Sequence, residues 1–473
     1  MLFNSPEFAI FLLVVFLLYW FVFQRNLKAQ NLFVVAASYI FYGYWDWRFL
    51  LLIALTSLCS WGSGLLIAQH RSRPAARTIH ILNIALNLTI LGLFKYYDFF
   101  ATAFARAFLH GHTDGLLLHL VLPVGISFYT FQALSYSIDV YRGKLEPTRD
   151  IIQFFAFVSF FPQLVAGPIE RATNLLPQFA RPRHFDYDTA VDGLRQILWG
   201  LFKKIAVADT CGLFVDRIYS TYQTQSGLTL IFAAVLFAFQ IYADFSGYSD
   251  MAIGTAKLFG FQLMRNFNNP YFSRDIAEFW RRWHISLTTW FRDYLYIPLG
   301  GSRVSKGKIV RNTFIIFLVS GFWHGANWTY LAWGAYHALL FLPLILSGRN
   351  RKHTDNIAKG RFLPRWKEFA QMSVTFLLAT IGWIIFRSSN ITQAWEYITL
   401  LPHRGAPDTN GLLPSILFIA IMIITEWLNR NRRHGLDIEH IQSHVIKFTF
   451  YYTLIILMFL SYNGADSFIY FQF

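Results

Sequence analysis

The chain has 473 residues, of which 55% are hydrophobic and 19% aromatic, whereas only 14% are charged. Soluble domains carry about 25% charged residues, so the composition excludes an ordinary soluble protein and predicts an all-α polytopic membrane protein in contact with the lipid bilayer. The net charge of +15 does not indicate nucleic-acid binding, because the basic residues fall in short loops between apolar runs, as orientation in a membrane requires.

The cysteines and the N-terminus add little to this class assignment. Cys59 and Cys211 lie far apart, beside or within apolar stretches, and indicate neither a disulfide framework nor a metal site. The first apolar run follows MLFNSPEF, which contains no basic residue. We therefore expect a retained first span rather than a cleaved signal peptide.

Twelve apolar segments are candidate spans, several of them shorter than the roughly 20 residues of a full crossing. They are residues 8–24, 30–45, 49–68, 79–96, 116–138, 151–167, 228–245, 312–325, 328–346, 370–387, 412–427 and 447–462. We expect re-entrant or broken helices around Val165, Ile285 and Trp323, because irregular backbone is tolerated at membrane depth where it lines a cavity. Without an internal repeat, the simplest prediction is one membrane-embedded domain, residues 1–473, ending in an extracytoplasmic tail, residues 463–473.

Basic residues between the spans predict the orientation. Loops at residues 25–28, 71–77, 303–311, 349–359 and 430–433 are basic and therefore predicted to be cytoplasmic. This places both termini outside. Strict alternation would put the basic stretch after residues 151–167 outside as well, which favours a re-entrant segment there.

Residues 168–209 form an amphipathic, basic stretch. Trp199 and Phe202 alternate with Lys203 and Lys204, as expected of a helix that lies in the membrane interface. A cytoplasmic loop with one amphipathic helix explains the pattern equally well.

The segment QIYADFSGYSDMAIG, residues 240–254, carries two acidic residues within and at the end of an apolar run. Asp244 and Asp250 are compatible with a proton or cation path of a transporter. They are also suited to bonding free backbone groups at a helix kink near Gly247, and we favour this structural role.

The block WRRWHISL contains His284 next to Arg281 and Arg282. One interpretation is an interface helix whose arginines meet lipid headgroups. The other is a cationic entrance for an anionic, phosphate-bearing donor. Asp293 and Tyr294 follow shortly after and are further candidates for contact with a substrate.

The block GFWHGANW places His324 about a dozen apolar residues after Arg311, roughly 18–20 Å along a helix. An imidazole at that depth is costly unless it lines a cavity, so a functional role is the default hypothesis. Neutral imidazole is the natural general base for a hydroxyl at neutral pH. Asn327 is predicted to orient the imidazole or bind a substrate carbonyl, and Trp323 is a neighbouring candidate.

These motifs together resemble the membrane-bound O-acyltransferase superfamily, and within it the bacterial alginate O-acetyltransferase branch. The similar blocks are LPVGISFYTFQ, FFPQLVAGPIER, QIYADFSGYSDMAIG, NFNNPYFSRDIAEFWRRWHISLTTWFRDYLYIPLGG and GFWHGANWTYLAWG. The resemblance implies a ring of roughly 11–12 transmembrane helices, with re-entrant and interfacial helices, around a central tunnel. It also implies that His324 is catalytic and that His284 is the second family histidine.

The chain ends in SFIYFQF, which is similar to the C-terminus of the small partner peptide of teichoic-acid D-alanylation. That similarity implies that Tyr470 carries the acyl group. The alternative is an aromatic terminus that anchors at the membrane interface.

The resemblance thus implies an acetyltransferase of the bacterial inner membrane. We expect acetyl-CoA as the donor, no bound cofactor or metal, and an exported polysaccharide as acceptor: alginate or a related exopolysaccharide, with peptidoglycan or cellulose as alternatives. A periplasmic acetyltransferase of the SGNH-hydrolase-like type is the expected partner. Two rivals from other classes are a proton-coupled transporter that uses Asp244, Asp250 and His324, and a scaffold of a polymer-export complex.

Overall fold

The apolar stretches of the chain form α-helices, because a helix pairs its backbone N–H and C=O groups within one segment, as the bilayer interior requires. The computed structural model describes residues 1–71, 73–110, 112–113, 115–165, 167–462 and 464, and these residues contain helices and no strands. The predicted all-α architecture is confirmed for this part of the chain.

The α-helices are numbered in chain order. They are α1 (Pro6–Leu17), α2 (Leu27–Gly43), α3 (Phe49–Gln69), α4 (Pro74–Lys95), α5 (Tyr97–Phe108), α6 (Ile126–Tyr141), α7 (Ile151–Ser159), α8 (Phe161–Leu164), α9 (Ala172–Phe179), α10 (Tyr187–Leu201), α11 (Thr210–Ser220), α12 (Gly227–Leu258), α13 (Ile276–Arg282), α14 (Ile285–Phe291), α15 (Lys306–His324), α16 (Trp328–Leu346), α17 (Trp366–Arg387), α18 (Ile391–Leu400), α19 (Leu412–Leu428) and α20 (His444–Ser461). Short π-helical segments are Leu18–Val22, Phe202–Asp209 and Arg292–Tyr296, and 3-10 turns are Tyr222–Thr224 and Pro270–Phe272.

Among the described residues, six helices are long and apolar enough to cross a membrane: α3, α4, α12, α16, α17 and α20. Pro6–Val22 and Leu412–Leu428 are shorter apolar stretches. These helices confirm a multi-pass membrane protein. A ring of 11–12 spans around a tunnel stays a prediction.

Helix ends occur at the three places where the sequence predicted re-entrant or broken helices. The apolar run that starts at Ile151 is interrupted at Phe160, between α7 and α8. Two residues separate α13 from α14, and α15 ends at His324, three residues before α16 begins. Non-helical backbone therefore adjoins both motif histidines.

The described residues divide into two compact units. One comprises Met1–Gly193 and Ala252–Met264, and the other comprises Leu194–Met251 and the described residues from Arg265 onward. The single membrane-embedded domain stays a prediction.

The first unit contains α1 to α9, with α3, α4 and α6 packed against one another. A buried arginine connects the segment after α9 to α2. Nη2 of Arg183 donates to Oε1 of Gln30 at 2.8 Å and to Oδ1 of Asn31 at 2.7 Å. The guanidinium thus keeps hydrogen-bond partners in an apolar setting, which buried charge requires.

The second unit contains an antiparallel pair, α15 and α16, packed against α17. Glycines let the pair approach closely. A Cβ atom on Gly334 would lie 2.3 Å from the carbonyl oxygen of Phe317, and one on Gly321 would lie 2.2 Å from that of Tyr330. This close packing fixes the end of α15, where His324 lies.

The same unit holds buried ion pairs that connect the π-helical segment Phe202–Asp209 with α12. Nζ of Lys203 lies 2.5 Å from a carboxylate oxygen of Asp250, and Nζ of Lys204 lies 2.6 Å from Asp209 and 2.9 Å from Asp244. Both lysines are 2% exposed. They therefore do not lie on the polar face of an interfacial helix, which was one of the two interpretations of this stretch.

Candidate active site

His324 is the last residue of α15 and is buried. Aromatic rings surround its imidazole: Trp333 and Phe386 meet it nearly edge-on, with ring centroids at 5.2 and 5.4 Å, and Trp323 does so at 5.0 Å. These three contacts restrict the orientation of the imidazole ring. The sequence places His324 there because the glycine-rich GFWHGAN stretch ends the helix immediately after it.

His284 lies between α13 and α14, where its backbone adopts the left-handed conformation with φ of 45°. Asn266 holds this conformation, because its backbone carbonyl oxygen accepts a hydrogen bond from the backbone N–H of Ile285 at 2.8 Å. The imidazole is 1% exposed and packs edge-on against Phe245 at 4.6 Å. Burial lowers the pKa of His284 to about 3, so the ring is neutral at physiological pH.

Both histidines line one cavity of about 460 Å³ in the second unit. Most of the wall is aromatic or aliphatic, and the basic side chains that line it are Arg281, Arg292 and Arg351. Such a cavity suits a molecule with an apolar part and an anionic part, since guanidinium groups bind phosphate and carboxylate well. An imidazole in the cavity wall is a nitrogen base that can receive a proton from a hydroxyl.

Arg281 binds the loop that contributes Asn350 and Arg351 to the cavity wall. Its guanidinium donates to the carbonyl oxygens of Asn350 and His353, both at 2.6 Å. Among the described residues Arg281 makes no ion pair with a carboxylate, so its positive charge is retained at the cavity wall. This position is compatible with the cationic entrance proposed from sequence.

Arg282 does not share that position. Its Nη2 lies 2.8 Å from Oε1 of Glu278, the side chain is buried, and it is not part of the cavity wall. The sequence grouped Arg281 and Arg282 as one entrance, and the structure corrects this because the charge of Arg282 is neutralised by Glu278.

Asn327 caps α16 and makes no hydrogen bond to His324, so it does not have the predicted role of orienting that imidazole. Its alternative role, binding of a substrate carbonyl, stays a prediction. Its Oδ1 accepts from the N–H of Thr329 at 3.1 Å, and its Nδ2 donates to the carbonyl oxygen of Ser389 at 2.8 Å. Asparagine is among the preferred residues at a helix N-terminus because its side chain satisfies a free N–H group.

Three other candidates lie near the cavity but not on its wall. Trp323 is buried between the two histidines, with its ring 6.0 Å from that of His284. Asp293 accepts from Arg292 at 2.7 Å, and the ring of Tyr294 packs on Trp290 at 4.9 Å. Tyr470 lies outside the described residues.

Some residues of the cavity wall, and one residue in contact with His284, were not found from sequence. Arg292 and Arg351 belong to segments far apart in the chain, and Asn266, which contacts His284, precedes it by 18 residues. Asn266 lies in the polar stretch RNFNN, in which nothing distinguishes it from the neighbouring asparagines. Within the described parts of the chain, no group of three His, Cys, Asp or Glu side chains is arranged to hold a metal ion.

Comparison with known proteins assigns the family. A model of MBOAT, the membrane-bound O-acyltransferase family, matches residues 42–367, more than half of the chain and inclusive of both histidines. The chain belongs to this membrane-bound O-acyltransferase family. It is therefore a multi-pass membrane acyltransferase, as the motifs predicted.

Several curated relatives of this acyltransferase cover most of its length. The protein named "Probable alginate O-acetylase AlgI" of Pseudomonas aeruginosa is 42% identical over 400 residues, 84% of this chain and 74% of the relative. The peptidoglycan O-acetyltransferase of Helicobacter pylori is 35% identical over 442 residues, 87% of this chain and 81% of the relative. A teichoic acid D-alanyltransferase of Streptococcus thermophilus is 28% identical over 293 residues, 58% and 69% of the two chains.

Proposed function

We propose that this acyltransferase is an O-acetyltransferase for an exported polysaccharide, with alginate or a related exopolysaccharide as the acceptor. The observation that carries the proposal is the cavity of about 460 Å³ that His284 and His324 both line, with Arg281, Arg292 and Arg351 in its wall. The similarity to alginate O-acetylases, at 42% identity over 84% of the chain, supports the acceptor class.

The proposed donor is a cytoplasmic acetyl thioester, acetyl-CoA. Its anionic phosphates suit the arginines, and its apolar thioester arm suits the aromatic part of the wall. A thioester is already activated, so the protein needs to position it and move one proton. No resident cofactor or metal enters the proposed reaction.

In the proposed reaction His324 takes the proton of the acceptor hydroxyl. The hydroxyl oxygen then bonds to the acetyl carbonyl carbon, and the carbon–sulfur bond breaks. The leaving thiolate takes the proton back from His324. His284, the second proposed catalytic residue, lies in the same cavity wall. As a neutral imidazole it forms a hydrogen bond with a bound substrate.

The proposed location is the bacterial inner membrane, with both termini periplasmic and the basic loops cytoplasmic. The first acceptor is the hydroxyl of Tyr470 in the C-terminal tail. A periplasmic acetyltransferase of the SGNH-hydrolase-like type then completes transfer to the polymer.

Peptidoglycan is the second candidate acceptor, because the 35% identical Helicobacter pylori relative is named a peptidoglycan O-acetyltransferase and covers 87% of this chain. The proton-coupled transporter is not favoured. Asp244 and Asp250, its proposed acidic residues, are each ion-paired with a buried lysine.

The decisive experiment supplies membranes with labelled acetyl-CoA and follows acetylation of the polymer. His324→Ala should lower the rate by at least about 100-fold, because it removes the general base. His440→Ala, at an exposed histidine, is the matched control and should retain the wild-type rate. Normal acetylation in a correctly inserted His324→Ala variant would disprove the assignment.

The mass of the C-terminal peptide tests the carrier separately. Label on Tyr470 in the wild type but not in His324→Ala supports a tyrosine carrier. Labelled polymer without label on Tyr470 would mean that transfer bypasses the tail. If neither is labelled, the donor is not acetyl-CoA.

A further inference from the structure

Asn266 forms a buried hydrogen-bond centre behind His284. The side chain is 0% exposed, and its Oδ1 lies 3.1 Å from Nδ1 of His284, 3.3 Å from the N–H nitrogen of Ser286 and 2.9 Å from Oγ of Ser286. Its Nδ2 donates to Oγ of Ser249 at 3.1 Å. One side-chain amide therefore connects α12 with the imidazole of His284 and with Ser286, two residues after it.

The orientation of this amide follows from its partners. The backbone N–H of Ser286 can only donate, so the atom of Asn266 that faces it must be the carbonyl oxygen. The reversed amide would place two donors against each other. Asn266 therefore presents Oδ1, an acceptor, to His284.

This orientation determines the tautomer of His284. An acceptor at 3.1 Å requires a donor, so Nδ1 carries the proton. In a neutral imidazole the other nitrogen, Nε2, then has a free lone pair. Nε2 is buried and has no hydrogen-bond partner among the described residues, although the ring lines the cavity.

A buried acceptor without a partner costs free energy, and such groups are uncommon unless they have a function. The rings of Phe245 and Phe267 beside the imidazole carry no N–H or O–H donor, and no hydrogen bond joins Nε2 of His284 to the indole of Trp323. The remaining source of a donor is a molecule in the cavity.

We propose that Asn266 is a positioning residue that holds His284 as the Nδ1–H tautomer, so that Nε2 accepts a hydrogen bond from an O–H or N–H group of a bound substrate. The inference rests on the proposed function for its kinetic consequence. The tautomer itself is independent of that function and is measured without substrate.

The first measurement is ¹⁵N magnetic resonance of the histidine-labelled full chain in lipid. The signals of His284 are those absent from His284→Gln. We expect a protonated Nδ1 and an unprotonated Nε2 in the wild type, and a gain of the Nε2–H form in Asn266→Ala. Asn312→Ala removes a buried asparagine that bonds to Leu299, and it should leave the His284 signals unchanged.

The second measurement is acyl transfer by the same variants. We expect Asn266→Ala to lower kcat by about 10- to 100-fold, the usual cost of losing a group that orients a functional histidine, with KM within about twofold. Asn266→Asp keeps an oxygen acceptor and should restore both the Nδ1–H signal and most of kcat.

An Nε2–H signal in wild-type His284 would overturn the inference, as would an Asn266→Ala variant with the wild-type tautomer and kcat. If Asn266→Ala does not fold, the spectra of the wild type and of Asn266→Asp still test the inference. An unprotonated Nδ1 of His284 in either spectrum would contradict it. A wild-type chain without acyl transfer but with the Nδ1–H tautomer would refute the proposed function alone.

Discussion

Glu278 shows how one buried carboxylate supports the cavity from outside its wall. It is 1% exposed, and its two oxygens accept from Arg274 at 3.0 Å and from Arg282 at 2.8 Å. Arg274 also reaches a carboxylate oxygen of Asp355 at 3.0 Å, in the loop after α16. That loop carries Arg351, so the ion pairs of α13 hold a basic part of the cavity wall in place.

Removal of this carboxylate should therefore destabilise the protein strongly. Glu278→Gln leaves the buried guanidinium group of Arg282 without its counter-charge and removes one of the carboxylates paired with Arg274. Loss of one partner of a buried pair costs about 3–5 kcal/mol. We expect a clearly lower midpoint of thermal unfolding, measured by intrinsic fluorescence in detergent.

The matched control is Glu146→Gln, which removes the partner of Arg71 in an exposed ion pair. Exposed pairs contribute about 0–1 kcal/mol, so its midpoint should stay close to that of the wild type. Equal midpoints for the two variants would contradict the structural role assigned to Glu278.

At the scale of elements, the α15–α16 pair fixes His324 through close backbone contact. The glycines at this contact are not needed for a special backbone angle. They are needed because the carbonyl oxygens of the opposite helix occupy the space that a side chain would fill. A change in this contact moves the end of α15 and the imidazole with it.

Gly334→Ala should thus impair both stability and transfer. Its Cβ would lie 2.3 Å from the Phe317 carbonyl oxygen, and overpacking of this kind costs about 1–3 kcal/mol. We expect a lower unfolding midpoint together with a lower acyl-transfer rate.

Gly307→Ala is the control in the same helix pair, since nothing lies within 4 Å of the corresponding Cβ and alanine favours the helix. It should be neutral or slightly stabilising. A Gly334→Ala variant as stable and active as Gly307→Ala would refute the contact.

In the π-helical segment Phe202–Asp209, the helical pattern of the sequence does not predict which side chains are buried. A regular helical pattern places Lys203 and Lys204 on a polar face, whereas the wider π-helical turn directs both into the protein, against Asp250 and Asp244. The hydropathy pattern of the sequence does not show that this segment departs from α-helical spacing. The acidic partners are visible in the sequence, but their register against the lysines is not.

For the whole molecule, hydropathy predicts most of the helices. The predicted spans 49–68, 228–245 and 328–346 correspond to α3, the first part of α12 and α16. Hydropathy also revealed the breaks, because a run that is too short to cross must end or turn. It did not predict the division into two units, since that depends on contacts between residues distant in the chain.

The residues of the candidate site that lie in recognisable sequence motifs were predicted from the sequence. His284 and His324 were identified from their blocks, and both line the cavity. The role of Asn327 in orienting His324 was wrongly predicted, because the sequence does not show that its side chain caps α16, a position that asparagine prefers. Asn266 was missed because its role arises from backbone pairing of residues 266–268 with residues 282–285, which a single sequence does not display.

The orientation of the chain in the membrane provides the last prediction. Basic loops are predicted to be cytoplasmic, so the segment with Lys306 should face the cytoplasm, whereas the loop between α18 and α19, with Thr409, should face outward. Both residues are exposed. With Cys59 and Cys211 replaced by alanine, a membrane-impermeant maleimide should label Thr409→Cys in intact spheroplasts and Lys306→Cys only after permeabilisation. In the proposed reaction an acetyl donor from the cytoplasm and an acceptor outside meet at His324. The reverse labelling pattern would therefore contradict both the predicted orientation and the direction of the proposed transfer.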